Sequence, residues 1–220
     1  MMNGSSLNFD NPFVTTGYVG KEYFCDREKE TEDIVRLLTN GNNVALISPR
    51  RYGKTDLLRH CFAQKEISEH YYTFIVDIYS TKSVEEMVSK LGSVILETLK
   101  PKGKKVWEKF LSVLASVRSE IRYDINGLPL WSICVGDIET PNTTLGEIFS
   151  YLQQADKPCI VAIDEFQQIG SFPDSLEVQK RIRGVWQLQQ NVSYCLFGSK
   201  KHMLANLFQD KRMPFYQFGD

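Results

Sequence analysis

A chain of 220 residues, 42% hydrophobic and 24% charged, has the composition of a folded globular protein and the length for one α/β domain with a large core. Its net charge of −1 gives no global attraction to nucleic acid or to an anionic membrane, although it leaves room for a local basic patch. No apolar run approaches a membrane span, and the start Met-Met-Asn-Gly-Ser-Ser lacks the charged and apolar regions of a signal peptide, so no membrane association and a cytoplasmic location are expected.

Residues 1–22 are polar and Gly-rich, with recurring aromatics, and read as an ordered loop. A helix is expected from Asp26, a good N-cap with Glu28 and Glu30 in its first turn, to Asn40-Gly41. Asn43 to Ser48 is an apolar run of buried-strand character, followed by a tight loop from Pro49 to Gly53. Lys54 and Thr55 open a helical pattern with Leu57, Leu58, Cys61 and Phe62 on one face. Tyr72 to Tyr79 reads as a strand, and Ser83 with Glu86 as a capping box for a helix through Leu99. A second amphipathic helix is expected from Lys104 to Arg122, then a half-exposed strand or hairpin around 131–137. Thr144 and Glu147 suggest another capping box, for a helix through Leu152. The continuous apolar run Cys159 to Ile163 predicts a strand buried on both faces, ending in Asp164 and Glu165. A helix over 177–190, a buried strand from Val192 to Phe197, a short helix from His202 to Phe208 and the start of a strand near Pro214 complete the pattern.

Of the five cysteines, Cys25, Cys61, Cys134, Cys159 and Cys195, none forms a C-x-x-C pair. Their number is odd and three lie in apolar segments, so they read as structural thiols in a reducing compartment.

Strand, loop, Gly53-Lys54-Thr55 and helix together form the context of a phosphate-binding P-loop. Loop amides from Arg51 through Tyr52 and Gly53 to Thr55, and the helix start at Asp56, would point N–H groups at an anion. Lys54 would reach the β- and γ-phosphates of ATP, and the Thr55 hydroxyl would ligate Mg²⁺. Ser48 stands at the first glycine of the motif, and Pro49 has no N–H to offer. Alternating strands and helices imply a mostly parallel sheet in three α/β/α layers, with ligands at the carboxyl ends of its strands. The three most apolar strands are expected side by side, the P-loop strand in the middle. Asp164 fits the carboxylate that holds Mg²⁺, and Glu165 the general base toward water, since strand side chains alternate. Ser199 is either a hydroxyl between γ-phosphate and water or a turn residue after Gly198. Arg183, or Arg181, either supplies positive charge to a transition state or belongs to a solvated helix face.

Four segments carry a family resemblance: Phe24 to Glu30, Ser48 to Thr55, Ile163 to Gln168 and Phe197 to Lys200. Over nearly its whole length the chain resembles the archaeal-type P-loop ATPase domain of prokaryotes, close to the AAA+ and STAND groups. The resemblance implies one ATPase core over 1–220, with an N-terminal segment over 1–25 near the adenine. Arg27 falls in the box that lies beside the base. Asp26 and Ser48 stand where the family has glycines. Family members continue into a further core strand, a helical lid and a C-terminal domain, expected here beyond Asp220. A protein or nucleic-acid partner would be engaged through that region, and an oligomer is compatible with the family.

Two functions fit this pattern. One is Mg²⁺-dependent ATP hydrolysis to ADP coupled to a conformational switch, which the position of Glu165 favours. The other is a nucleotide-gated scaffold or nucleic-acid-associated module with negligible turnover, which Ser48 and Asp26 favour.

Overall fold

The computed structural model describes residues 17, 18, 20, 24, 26–49, 51–120, 122–130 and 138–219. The strand expected at 131–137 lies outside them, as do Cys25 and Cys134. Among the described residues the main sheet has four strands: β1 (Val44–Ile47), β2 (Tyr72–Asp77), β5 (Cys159–Asp164) and β6 (Val192–Gly198). They pair in the order β1-β6-β5-β2, and every pairing is parallel. A two-residue antiparallel pair, β3 (Arg122–Tyr123) with β4 (Pro129–Leu130), stands apart.

The sheet is covered on both faces, and side-chain alternation decides which residue meets which layer. Ile160 and Ala162 of β5, with Cys195 and Phe197 of β6, pack against α1 (Glu28–Thr39), α2 (Lys54–Phe62) and α3 (Lys65–Ser68). Leu38, Leu57, Leu58 and Ile67 are the helical side of that core. Cys159, Val161 and Ile163, with Tyr194 and Leu196, face the other way. There they join α4 (Val84–Leu99), α5 (Lys104–Val113), α6 (Pro141–Gln153), α7 (Ser175–Trp186) and α8 (Lys201–Gln209).

The P-loop strand is not central among the described residues. β6 lies between β1 and β5, and β1 pairs with β6 alone. The burial explains the difference: β6 is buried throughout, whereas β1 is half-buried after Val44. A continuous apolar run reports two covered faces but not the neighbours. Gly219 passes along β1, where a Cβ would come within 3.0 Å of the Ala45 amide nitrogen. Residues 211–217 form turns rather than a strand, and they insert Phe215 into an aromatic cluster with Phe166, Trp186 and Phe208.

Several helix ends also differ from expectation. The N-cap of α1 is Arg27, and Asp26 precedes it at φ 66°. The helix from Lys104 stops at Val113, and a 3₁₀ segment over Ala115–Glu120 follows. That break lets Ser116 turn its amide and hydroxyl onto the Glu147 carboxylate, and its hydroxyl also meets Thr144 Oγ1 at 2.8 Å. Thr144 and Glu147 therefore staple a loop instead of capping a helix. α6 starts three residues earlier, at Pro141, whose missing N–H costs nothing in a first turn. At α4 the capping is as read for Ser83, which accepts from the Glu86 amide at 3.4 Å; Glu86 itself reaches Lys82 N–H.

Candidate functional site

The order β1-β6-β5 puts three consecutive carboxyl ends side by side: Ile47 leading into the loop, Gly198-Ser199, and Asp164-Glu165. Between them lies a cavity of about 480 Å³, lined by Arg51, Tyr52, Gly53, Lys54, Thr55, Asp56, Asp164, Glu165 and Ser199. Nearly all the residues singled out from the sequence therefore meet in one place.

The loop turns through left-handed backbone at Arg51 (φ 65°) and Gly53 (φ 62°), and Gly53 is the N-cap of α2. At Gly53 the demand for glycine is conformational, since a Cβ there would meet nothing closer than Arg27 Nη1 at 3.8 Å. Lys54 donates to the carbonyls of Ser48 at 3.0 Å and Pro49 at 2.8 Å, so its ammonium lies inside the loop. Burial lowers the Lys54 pKa, and the negative charges of Asp164 and Glu165 oppose that shift.

Thr55 Oγ1 donates to Asp164 Oδ2 at 3.0 Å, and the Glu165 amide donates to Asp164 Oδ1 at 2.8 Å. Burial raises the Asp164 pKa, the two hydrogen bonds work against it, and the nearby Asp77 and Glu165 add to the rise. Glu165 has already left the strand. Its backbone is left-handed (φ 54°, ψ 40°), so strand alternation does not govern its side chain and both carboxylates line the same cavity. They nevertheless hold different partners. Glu165 Oε2 accepts from Ser199 Oγ at 3.0 Å, from the Ser199 amide at 3.3 Å, and from Gln167 Nε2. Burial alone would raise the Glu165 carboxyl, but these donors and the Lys54 charge outweigh it and leave its pKa below the ordinary glutamate value.

Arg27 sits beside the loop. Its Nη1 donates to Tyr52 O at 2.9 Å while the same guanidinium pairs with Glu30. It lines an adjoining cavity of about 260 Å³ with Glu30, Ile34, Ser48 and Leu57, and Lys54 borders both spaces. Ser48 Oγ is buried without a partner among the described residues. Arg183 is not on the loop cavity; its guanidinium lies 4.7 Å over the Phe218 ring. Arg181 lines a separate cavity of about 250 Å³ near the starts of α4, α6 and α7.

Sequence reasoning gave no role to Gln167, a buried amide in direct contact with Glu165. Its signal was present in Asp-Glu-Phe-Gln, a polar residue three places beyond a buried strand.

Among the described residues no group of three or more His, Cys, Asp or Glu is arranged to hold a metal. Thr55 and Asp164 supply one hydroxyl and one carboxylate, a sparse oxygen set that suits Mg²⁺, which takes most of its ligands from water and phosphate. No described helix is long and apolar enough to cross a membrane.

A parallel sheet with helices on both faces, a loop from β1 into a helix that opens with Lys54-Thr55, and Asp164 at the end of another strand define a P-loop NTPase fold. Among solved structures, the chain is similar to the Walker-type ATPase PABY2304 of Pyrococcus abyssi, at 20% identity and a TM-score of 0.56, over 94% of this chain and 55% of that one. It is also similar to the ORC2 protein of Aeropyrum pernix, solved as ADPNP–ADP complexes, at 15% identity and a TM-score of 0.55, over 94% and 49% of the two chains. The Aeropyrum pernix ORC1 protein in complex with DNA matches at 15% identity and a TM-score of 0.53, over 90% and 44%. The chain thus spans about half the length of the solved structures it matches, and at these identities the likeness is one of fold. No protein-family model and no curated protein matches it.

Proposed function

We propose that the chain is an ATP-binding P-loop ATPase core that hydrolyses ATP with Mg²⁺ and couples the reaction to a conformational change. The observation that carries this reading is the Thr55–Asp164 hydrogen bond. It joins the loop that would hold phosphate to the strand end that would hold the metal. Lys54 and the amides from Arg51 to Asp56 would bind the phosphates, and the space beside Arg27 would take the adenine end. Thr55 and Asp164 would hold Mg²⁺, whose charge would offset that of the phosphates. Glu165 would accept the proton of the attacking water, with Ser199 orienting the carboxylate through its hydroxyl and amide. The Arg183 guanidinium, which does not line the loop cavity of its own chain, would supply positive charge to a neighbouring subunit, in trans.

The second reading is a nucleotide-gated module with negligible turnover, acting on a protein or nucleic-acid partner. Ser48 and Pro49 favour it, because the loop offers neither a first glycine nor an N–H at position 49. Measured Mg²⁺-ATP turnover decides between the two. On the hydrolytic reading, Glu165→Gln keeps ATP and Mg²⁺ bound and loses roughly 10²–10⁴-fold in rate. Asp164→Asn weakens the Mg²⁺ dependence of binding as well. Equal loss of Mg²⁺-ATP affinity in both variants would refute the separate roles, and a wild-type protein without turnover would leave the gated module as the better account.

A further inference from the structure

Gln167 is 1% exposed and lies just past Glu165, in the 3₁₀ segment Phe166–Ser171. Its Nε2 donates to Glu165 Oε2. Its Oε1 is buried without a hydrogen-bond partner among the described residues. That oxygen fills the space over Gly198, where a Cβ would stand 2.1 Å from it.

Packing alone does not explain an amide here. A methionine or leucine would fill a similar volume without burying an unpaired carbonyl. The amide's return is its bond to a carboxylate, and a hydrogen bond to a charged group is the stronger kind. The orientation of the amide follows from the same charge, since a flip would set its oxygen against Glu165 Oε2. Gly198 completes the arrangement, because any side chain there would take the place of the amide.

Glu165 needs such a partner. In left-handed backbone beyond the end of β5, its direction is not fixed by the pleat of the sheet. The three donors, from Gln167 and twice from Ser199, all meet Oε2, and among the described residues none meets Oε1.

We propose that Gln167 is the positioning residue for Glu165: its buried carboxamide, seated against Gly198, commits Oε2 and leaves Oε1 as the oxygen that accepts the proton from water. Gln167 acts through Glu165 and touches neither phosphate nor metal. This inference rests on the hydrolytic reading above.

The test is a double-mutant cycle on ATP turnover, with nucleotide affinity measured separately by calorimetry. Gln167→Met keeps the length of the side chain and removes the donor; Gln167→Leu is the second variant should the first fold poorly. The expected result is a kcat about 10–100-fold lower, with ATP affinity within about twofold of wild type. In a Glu165→Gln background the same substitution lowers the residual rate no further, because the group it positions has already lost its function. A structural role alone would not produce that non-additivity. An unchanged kcat in Gln167→Met, an equal further loss in the Glu165→Gln background, or a loss confined to affinity each overturns the inference while leaving the hydrolytic reading standing. Absence of turnover in the wild-type protein overturns both.

Discussion

Thr55 and Asp164, 109 positions apart in the chain, are joined by a hydrogen bond of 3.0 Å across the carboxyl ends of the sheet. The bond spans from the first turn of α2 to the last residue of β5, past the intervening β6. It ties the start of α2 to the acidic strand end, and both residues line the cavity between them.

Lys54→Ala is expected to weaken ATP binding by about 2–4 kcal/mol, the range for removing one partner of a desolvated charge pair. The buried ammonium already lies among loop carbonyls, so its removal also leaves the Ser48 and Pro49 oxygens short of a donor. Calorimetry with ATP measures the loss, and unchanged affinity would remove Lys54 from the phosphate site.

Gly198→Ala forces a Cβ to within 2.1 Å of Gln167 Oε1 and 3.2 Å of Glu165 Cα. The first contact is relieved by displacing the amide, but the second is with backbone. Overpacking of this kind costs about 1–3 kcal/mol. At roughly 2–4 °C per kcal/mol for a chain of this size, Tm should fall by several degrees. Thermal unfolding at unchanged Tm would mean that β6 gives way more easily than the packing implies.

Arg27 holds Tyr52 O and the Glu30 carboxylate with one guanidinium. Arg27→Ala should lower stability by about 1 kcal/mol through the loop contact. Arg27→Lys should not restore it, because an ammonium lacks the planar fork that serves both partners at once. Full recovery of Tm by lysine would show that charge alone suffices.

Burial pushes the Cys61 and Cys159 thiols up to about 12, from an ordinary value of 9.0, and raises Cys195 further. A folded-state pKa raised in this way favours the neutral thiol in the folded protein. The associated stability is present in full below pH 9.0 and is lost as pH rises toward about 12, because the unfolded chain ionises first. Urea midpoints should therefore fall steadily above that lower bound. At about pH 8, alkylation followed by peptide mapping should leave all three thiols unmodified until the protein unfolds. Rapid labelling of any of them in the native state would contradict their burial.

Most of the cavity lining was legible in local sequence because it depends on near neighbours. Gly53-Lys54-Thr55 follows an apolar run, and Asp164-Glu165 ends another, so the loop and the two carboxylates that line the cavity could be picked out from strand ends alone. The alternation within β5 and β6 likewise sorts their residues between two helical layers without any coordinates. What the tertiary structure decided was adjacency. Apolar runs reveal burial but not pairing order, and only the fold placed β6 beside β1. Backbone outliers were equally hidden, since nothing in the letters at 165 announces φ 54°. Gln167 gained a role only when β6 brought Gly198 against it, for a buried amide takes its meaning from partners that lie elsewhere in the chain. Local pattern fixes what a segment can bury or bind, whereas the close approach of distant segments fixes which of its polar atoms find partners.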